Sequence, residues 1–133
     1  MRYYRFMLLV VATLMSHVAF GQESGEVHGA HIELSSKELD LGELYTDDDK
    51  QQVRLPFRNV GDRPLVITEV RTSCSCTTVQ YERRPIQPDE QSALTIIFDP
   101  KRAPEGALYR VIQLFSTSAT GVEHITLKAN IVK

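Results

Sequence analysis

The chain has 133 residues, a formal net charge of −2 and 24% charged residues, enough for one domain. A weakly acidic balance without Lys/Arg clusters lacks the footprint of a nucleic-acid binder. A domain of this length can fold without disulfide staples.

The first residues read as a leader. Arg2 and Arg5 precede a run from Phe6 to Ala19 that is apolar apart from Thr13, Ser16 and His17. Ala19 and Gly21 then put small residues where a signal peptidase reads. A retained anchor needs about 20 apolar residues, and this run is shorter. The expectation is a signal peptide over Met1 to Gly21, cut before Gln22, which releases a soluble domain into the periplasm or beyond. The leader takes two arginines and no acidic residue, so the mature chain is more acidic than the whole. No Cys follows the cut, so lipid attachment is not indicated, and no second apolar run is long enough to span a bilayer. Residues 22–31 read as a flexible tether, because Gln22 to Ala30 has little apolar content and two glycines.

Residues 32–133 carry short β-type runs separated by turn residues. Ile32 to Leu34 and Glu38 to Leu44 are expected to form an opening strand pair, with Leu39 and Leu41 on one face and Asp40 on the other. Asp47, Asp48, Asp49 and Lys50 make a charged turn. In Gln51 to Asn59, Val53, Leu55 and Phe57 point one way and Gln52, Arg54 and Arg58 the other. Pro56 cannot donate to a ladder, so its nitrogen should face a sheet edge or a bulge. The turn from Val60 to Pro64 uses Gly61 for its tolerance of positive φ, Asn59 and Asp62 for bonds to nearby backbone, and Pro64 to fix φ before the next strand.

Leu65 and Ile67 share a face, but the next apolar residue is Val70, and that change of phase predicts a β-bulge near Thr68 and Glu69. Val70, Thr72, Cys74 and Cys76 would share a face if the strand continued. Tyr81 to Asp89 is a loop punctuated by Pro85 and Pro88. Leu94, Ile96 and Phe98 alternate until Pro100 stops the strand, and Pro104 to Gly106 turns. Leu108, Ile112 and Leu114 make one face of the next strand, with Arg110 the exception. After Thr120 and Gly121, Ile125, Leu127, Ala129 and Ile131 face inward. Apolar residues do not recur at helical spacing. About seven short antiparallel strands with turns at this spacing predict an all-β, immunoglobulin-like β-sandwich.

The order of pieces resembles the bacterial DUF1573 family. The pieces are Phe57-Arg58-Asn59-Val60-Gly61, Leu65-Val66-Ile67, Ser73-Cys74-Ser75-Cys76-Thr77, Pro85-Ile86-Gln87-Pro88, Phe98-Asp99-Pro100 and Gly106-Ala107-Leu108, spread over about Glu38 to Val132. Ser75 stands where the family usually has Gly, which argues against a sharp turn between the cysteines. The resemblance implies an exported immunoglobulin-like domain related to modules that mediate protein contacts, and it implies no known reaction.

Cys74 and Cys76 are the reactive pair. On an extended strand their Cα atoms lie nearly 7 Å apart, beyond comfortable disulfide reach, and a bond between them needs a turn. The readings are a structural pair (two buried thiols or a local disulfide), a metal site in which two thiolates suit Cu(I), and a redox pair without the C-x-x-C spacing. Zinc would need two more ligands from His28, His31 or His124; solvated histidines are the simpler reading. Asp47 to Asp49 lacks the alternating calcium pattern and reads as a hydrated turn. Arg83 and Arg84, beside Tyr81, are a candidate contact patch for an acidic protein partner, with a solvated loop as the plain reading.

There is no nucleophile elbow, phosphate loop or His-based pair, so an enzyme is not expected and no cofactor is implied. The expected function is a non-catalytic interaction or structural module of the bacterial cell envelope, with a protein partner, no nucleic acid and no membrane span after cleavage. Its contacts would fall on the end loops or, by strand addition, on an edge strand. The alternative is a thiol-dependent role, Cu(I) binding or disulfide exchange, through Cys74 and Cys76.

Overall fold

Side-chain alternation sorts the chain into two layers. The computed structural model describes residues 28–133; the leader and the tether residues Gln22 to Val27 lie outside the described residues. Eight strands follow in order: β1 (Ile32–Leu34), β2 (Glu38–Tyr45), β3 (Gln51–Asn59), β4 (Ile67–Thr72), β5 (Thr77–Gln80), β6 (Gln91–Phe98), β7 (Gly106–Ser116) and β8 (Val122–Val132). They form two four-stranded sheets, ordered β1-β3-β6-β5 and β2-β8-β7-β4. The result is the all-β sandwich that the spacing predicts. The strand beyond the expected seven is β5, whose four residues T-T-V-Q hold one apolar side chain and show no readable alternation.

The opening runs do not pair with each other as expected. β1 pairs antiparallel with β3 in one sheet, whereas β2 runs parallel to β8 in the other. Ser35 to Lys37 carries the chain across, so Ile32 and Leu44 are buried at edges of different sheets. The crossover is fastened at Lys37, whose C=O accepts from Thr126 N–H at 2.9 Å and whose ammonium lies 2.7 Å from Glu123.

Pro56 explains why β1 stops. Ser35 N–H donates to Pro56 C=O at 3.0 Å, so the proline's backbone faces β1. Pro56 has no N–H to return the second bond of the pair, and the ladder ends at Leu34. Its nitrogen therefore faces the point where the edge strand β1 stops pairing, although β3 itself lies inside the sheet. The bulge in β4 also falls where the apolar phase changes, between Ile67 and Glu69.

The core divides into two clusters. One centres on Phe57, Leu65, Ile86, Ile96 and Ile112, the other on Phe98, Leu108, Leu127 and Ile131. At the first end lies Asn59, whose side chain is fully buried and makes four bonds. Its Nδ2 donates to Arg63 C=O (2.7 Å) and Ile86 C=O (3.0 Å), and its Oδ1 accepts from Gly61 N–H (3.0 Å) and His31 N–H (3.3 Å). Its backbone joins the 81–90 loop through Glu90 C=O and Asp89 N–H. A single amide thus holds the segment before β1, the turn after β3 and the loop before β6.

Gly61 is needed for a different reason than expected. It does not adopt positive φ; instead a Cβ there would sit 2.0 Å from Gly29 O and 2.6 Å from His31 N. The chain before β1 crosses directly over it. Of the stretch read as tether, Gly29 to His31 are accordingly packed: Ala30 is buried, Gly29 N–H donates to Asp62 Oδ1 at 2.5 Å, and Ala30 C=O accepts from Ala119 N–H at 3.0 Å.

Replacing Asn59 by Ala leaves several buried groups unpaired and is expected to cost about 3 kcal/mol or more. Gly61→Ala is expected to cost about 2 kcal/mol through backbone displacement. Urea unfolding midpoints check both, and losses below about 1 kcal/mol would contradict this reading of the turn.

Glu123, only 7% exposed, supplies a pH-dependent element. Burial pushes its carboxyl up, but donation from Lys37 and from the Thr120 hydroxyl outweighs burial, and the group is held below its ordinary value of 4.5. Its stabilisation is therefore present above that value and is lost as pH falls through the folded-state value. In urea titrations at descending pH, the stability gap between wild type and Glu123→Gln should narrow through the carboxylate range. A gap independent of pH would contradict the assignment.

Candidate functional site

Strand β4 ends where the cysteines begin. Ser73 N–H still reaches Val111 C=O at 3.4 Å, but the chain then turns, and Thr77 N–H bonds back to Cys74 C=O at 3.3 Å. The turn brings the Cα atoms of Cys74 and Cys76 to 5.1 Å and the sulfurs are bonded. The extended geometry that kept the two apart does not hold here. Ser75 does not block the turn, because no positive φ is used at that position. Cys76 is 1% exposed in the second core cluster, and Cys74 packs partly buried against it.

The bonded pair offers no thiolate, so Cu(I) binding would first require reduction, whereas disulfide exchange would need an incoming thiolate to reach a sulfur of this largely buried bond. Of the histidines considered as metal ligands, the His28 ring faces Asp62 at 3.4 Å and the His124 ring faces Gln113 at 3.5 Å, whereas His31 is held only through its backbone N–H to Asn59 and its ring Nδ1 is buried without a hydrogen-bond partner among the described residues. Among the described residues no group of three or more His, Cys, Asp or Glu side chains is placed to hold a metal ion.

Directly after the cysteine turn, β5 leads into the predicted contact residues. Tyr81 and Arg83 line an open groove of about 320 Å³ with Val70, Thr72, Thr77 and Val79. The groove lies between the β4 and β5 edges, which belong to opposite sheets. The Arg83 guanidinium stands 5.5 Å over the Tyr81 ring, within cation–π range. Arg84 does not join them. It is bonded to Glu82 at 2.6 Å and to Glu90 at 2.7 Å, and the Glu90 carboxyl is held below its ordinary value first by Arg84 and then by Gln87 N–H. The expected patch therefore splits into a groove arginine and a loop-bracing arginine.

Of the wall residues, Val79 was not singled out from the sequence, and Val70 only as the mark of the β4 bulge. Their signal is faint: each is a lone apolar residue among polar ones, facing inward at a strand that has a neighbour on one side only. Arg110 is a second surprise. It occupies an inward position of β7 between Leu108 and Ile112, beside the place where β4 has left the sheet. Its guanidinium donates to Tyr109 C=O at 2.9 Å.

Two packed sheets, an opening segment shared between them and a groove along one side define an immunoglobulin-like β-sandwich domain. The chain belongs to the family described as "Protein of unknown function (DUF1573)", which matches residues 32–131. Among solved structures it is similar to a protein of unknown function from Porphyromonas gingivalis W83, at 27% identity and a TM-score of 0.68 over 84% of this chain. The chain spans 51% of the length of that protein. It is also similar to the periplasmic chaperone SfaE, at 14% identity and a TM-score of 0.58, covering 77% of this chain and 60% of that one. The PapD-like domain 7 of human CEP192 matches at 8% identity and a TM-score of 0.60, covering 90% and 96%. The last two likenesses show the fold alone. No curated protein matches significantly.

The cysteine bond closes a very short loop, so its chain-entropy contribution is small, about 1.5 kcal/mol. The Cys74→Ser, Cys76→Ser double variant should fold and lose about that much in urea unfolding. A loss above about 4 kcal/mol would show that the turn is a principal anchor of the fold instead.

Proposed function

We propose that the chain is exported, cut between Gly21 and Gln22, and acts as a non-catalytic protein-interaction module of the bacterial cell envelope. The observation that carries the interaction reading is the groove between the β4 and β5 edges, with partly exposed Val70, Val79 and Tyr81 beneath an arginine that no acidic side chain among the described residues neutralises. Apolar surface beside an unspent charge suits a protein surface of opposite charge. Periplasmic chaperone SfaE carries the same fold, which agrees with this reading. The leader-like residues ahead of Gln22 support export.

A photo-crosslinking residue at Thr78, on the rim of the groove, should capture one discrete envelope protein in living cells. The same residue at Asp47, in the turn after β2, should not. Intact mass of the captured product should lack Met1 to Gly21. Capture at neither position or equally at both would contradict the interaction reading. A mass that retains the leader would contradict export by cleavage.

A further inference from the structure

We propose that the β5 edge and its groove receive an extended peptide by strand addition, with apolar side chains at alternate positions and a carboxylate that reaches Arg83. This rests on the interaction reading above and names the kind of partner.

Backbone polarity comes first. Asp99 N–H donates to Cys76 C=O at 2.8 Å, so Cys76, Thr78 and Gln80 turn their backbone groups to β6 and the alternate residues Thr77, Val79 and Tyr81 turn theirs outward. Thr77 is already occupied: its N–H donates to Cys74 and its C=O accepts from the Thr72 hydroxyl at 3.3 Å. Val79 and Tyr81 have no backbone partner on that side among the described residues. Unpaired groups on an edge strand are a template for another strand.

Side chains supply the selectivity. A strand laid along β5 directs every second side chain into the groove, against Val70, Val79 and Tyr81. At the far end Arg83 awaits an anion. The loop's acids are already paired: Glu82 and Glu90 with Arg84, and Asp89 with Arg58. A carboxylate from the added strand can make a charge-assisted bond to the guanidinium while the arginine keeps its place over the Tyr81 ring.

The test titrates the isotope-labelled full chain, as the producing cell processes it, with a short peptide of alternating valine and threonine ending in a pair of glutamates. A twin peptide ending in a pair of lysines is the control. The amide signals of Val79 and Tyr81 should shift and gain protection from solvent exchange with the glutamate peptide. The lysine twin should bind about ten-fold more weakly, and so should the glutamate peptide to the Arg83→Gln protein. Failure of both peptides, equal affinity for both, or shifts confined to β1 or β2 would overturn the proposal. So would Val79 protection in the free protein, whether constant (the chain's own residues before His28 cover the edge) or rising with protein concentration (a second copy does). If Thr78 captures an envelope protein while the peptides fail, the interaction reading stands and strand addition falls. If the glutamate peptide binds as expected while the cell yields no captured partner, the edge stands as a peptide site and the envelope reading falls.

Discussion

One buried carboxamide holds the structure in register. Asn59 sits at the last position of β3, where the chain must leave the sheet, and three separate segments converge on it. The position demands two donors and two acceptor lone pairs in one short side chain. Asp offers no donors when ionised, and Gln is one methylene too long for a site whose partners are fixed by backbone. Because every partner is a main-chain group, the bond set specifies where the backbone goes and leaves the neighbouring side chains free to vary. Gly61 completes the arrangement by letting the chain before β1 pass within contact of the turn.

That knot makes the two sides of the sandwich unequal. On the β1 side the edge is short and ended by Pro56, its Ile32 N–H is taken by the Ser118 hydroxyl, and the crossover to β2 is clamped by Lys37 and Glu123. On the β4–β5 side the two strands themselves are joined by the cysteine turn and the Thr72 hydroxyl, and the next link is the Leu65–Ile86 bridge beyond their far ends. Stability therefore concentrates at one side, and a groove with unpaired backbone is left at the other. Regions with few buried contacts open most readily and are the ones that bind. The disulfide belongs to this asymmetry: it fixes how β4 hands the chain to β5 and so fixes the groove's closed end.

Most of the fold was legible because burial alternates so regularly. Val53 to Phe57, Leu94 to Phe98 and Ile125 to Ile131 each show period-two patterning with one buried face. Even the bulge in β4 left a trace, since an extra residue shifts the apolar phase. Pairing was less legible. Nothing in Ile32 to Leu44 says that one chain serves two sheets, because both halves alternate in the same way, and parallel pairing leaves no local mark. β5 was missed because four residues cannot display a period. The site was legible by residue and not by geometry. Tyr81 and Arg83 do meet at the groove, yet which of two adjacent arginines stays free depends on Glu82 and Glu90, and Glu90 approaches through the loop's fold and not through sequence proximity. Cys74 and Cys76 could be read either way, since an extended strand forbids their bond and a turn permits it.

Native-state hydrogen exchange tests the account most directly, because a single experiment reports both sides. The account predicts that the amides of Gly61 and Ile86, bonded to Asn59 and Leu65, exchange only through global unfolding. The Val79 amide should exchange as fast as in an unstructured peptide, while Thr78 and Gln80 on either side remain protected by β6. Equal protection along Thr78, Val79 and Gln80, or a Gly61 amide that exchanges as fast as that of Val79, would contradict it.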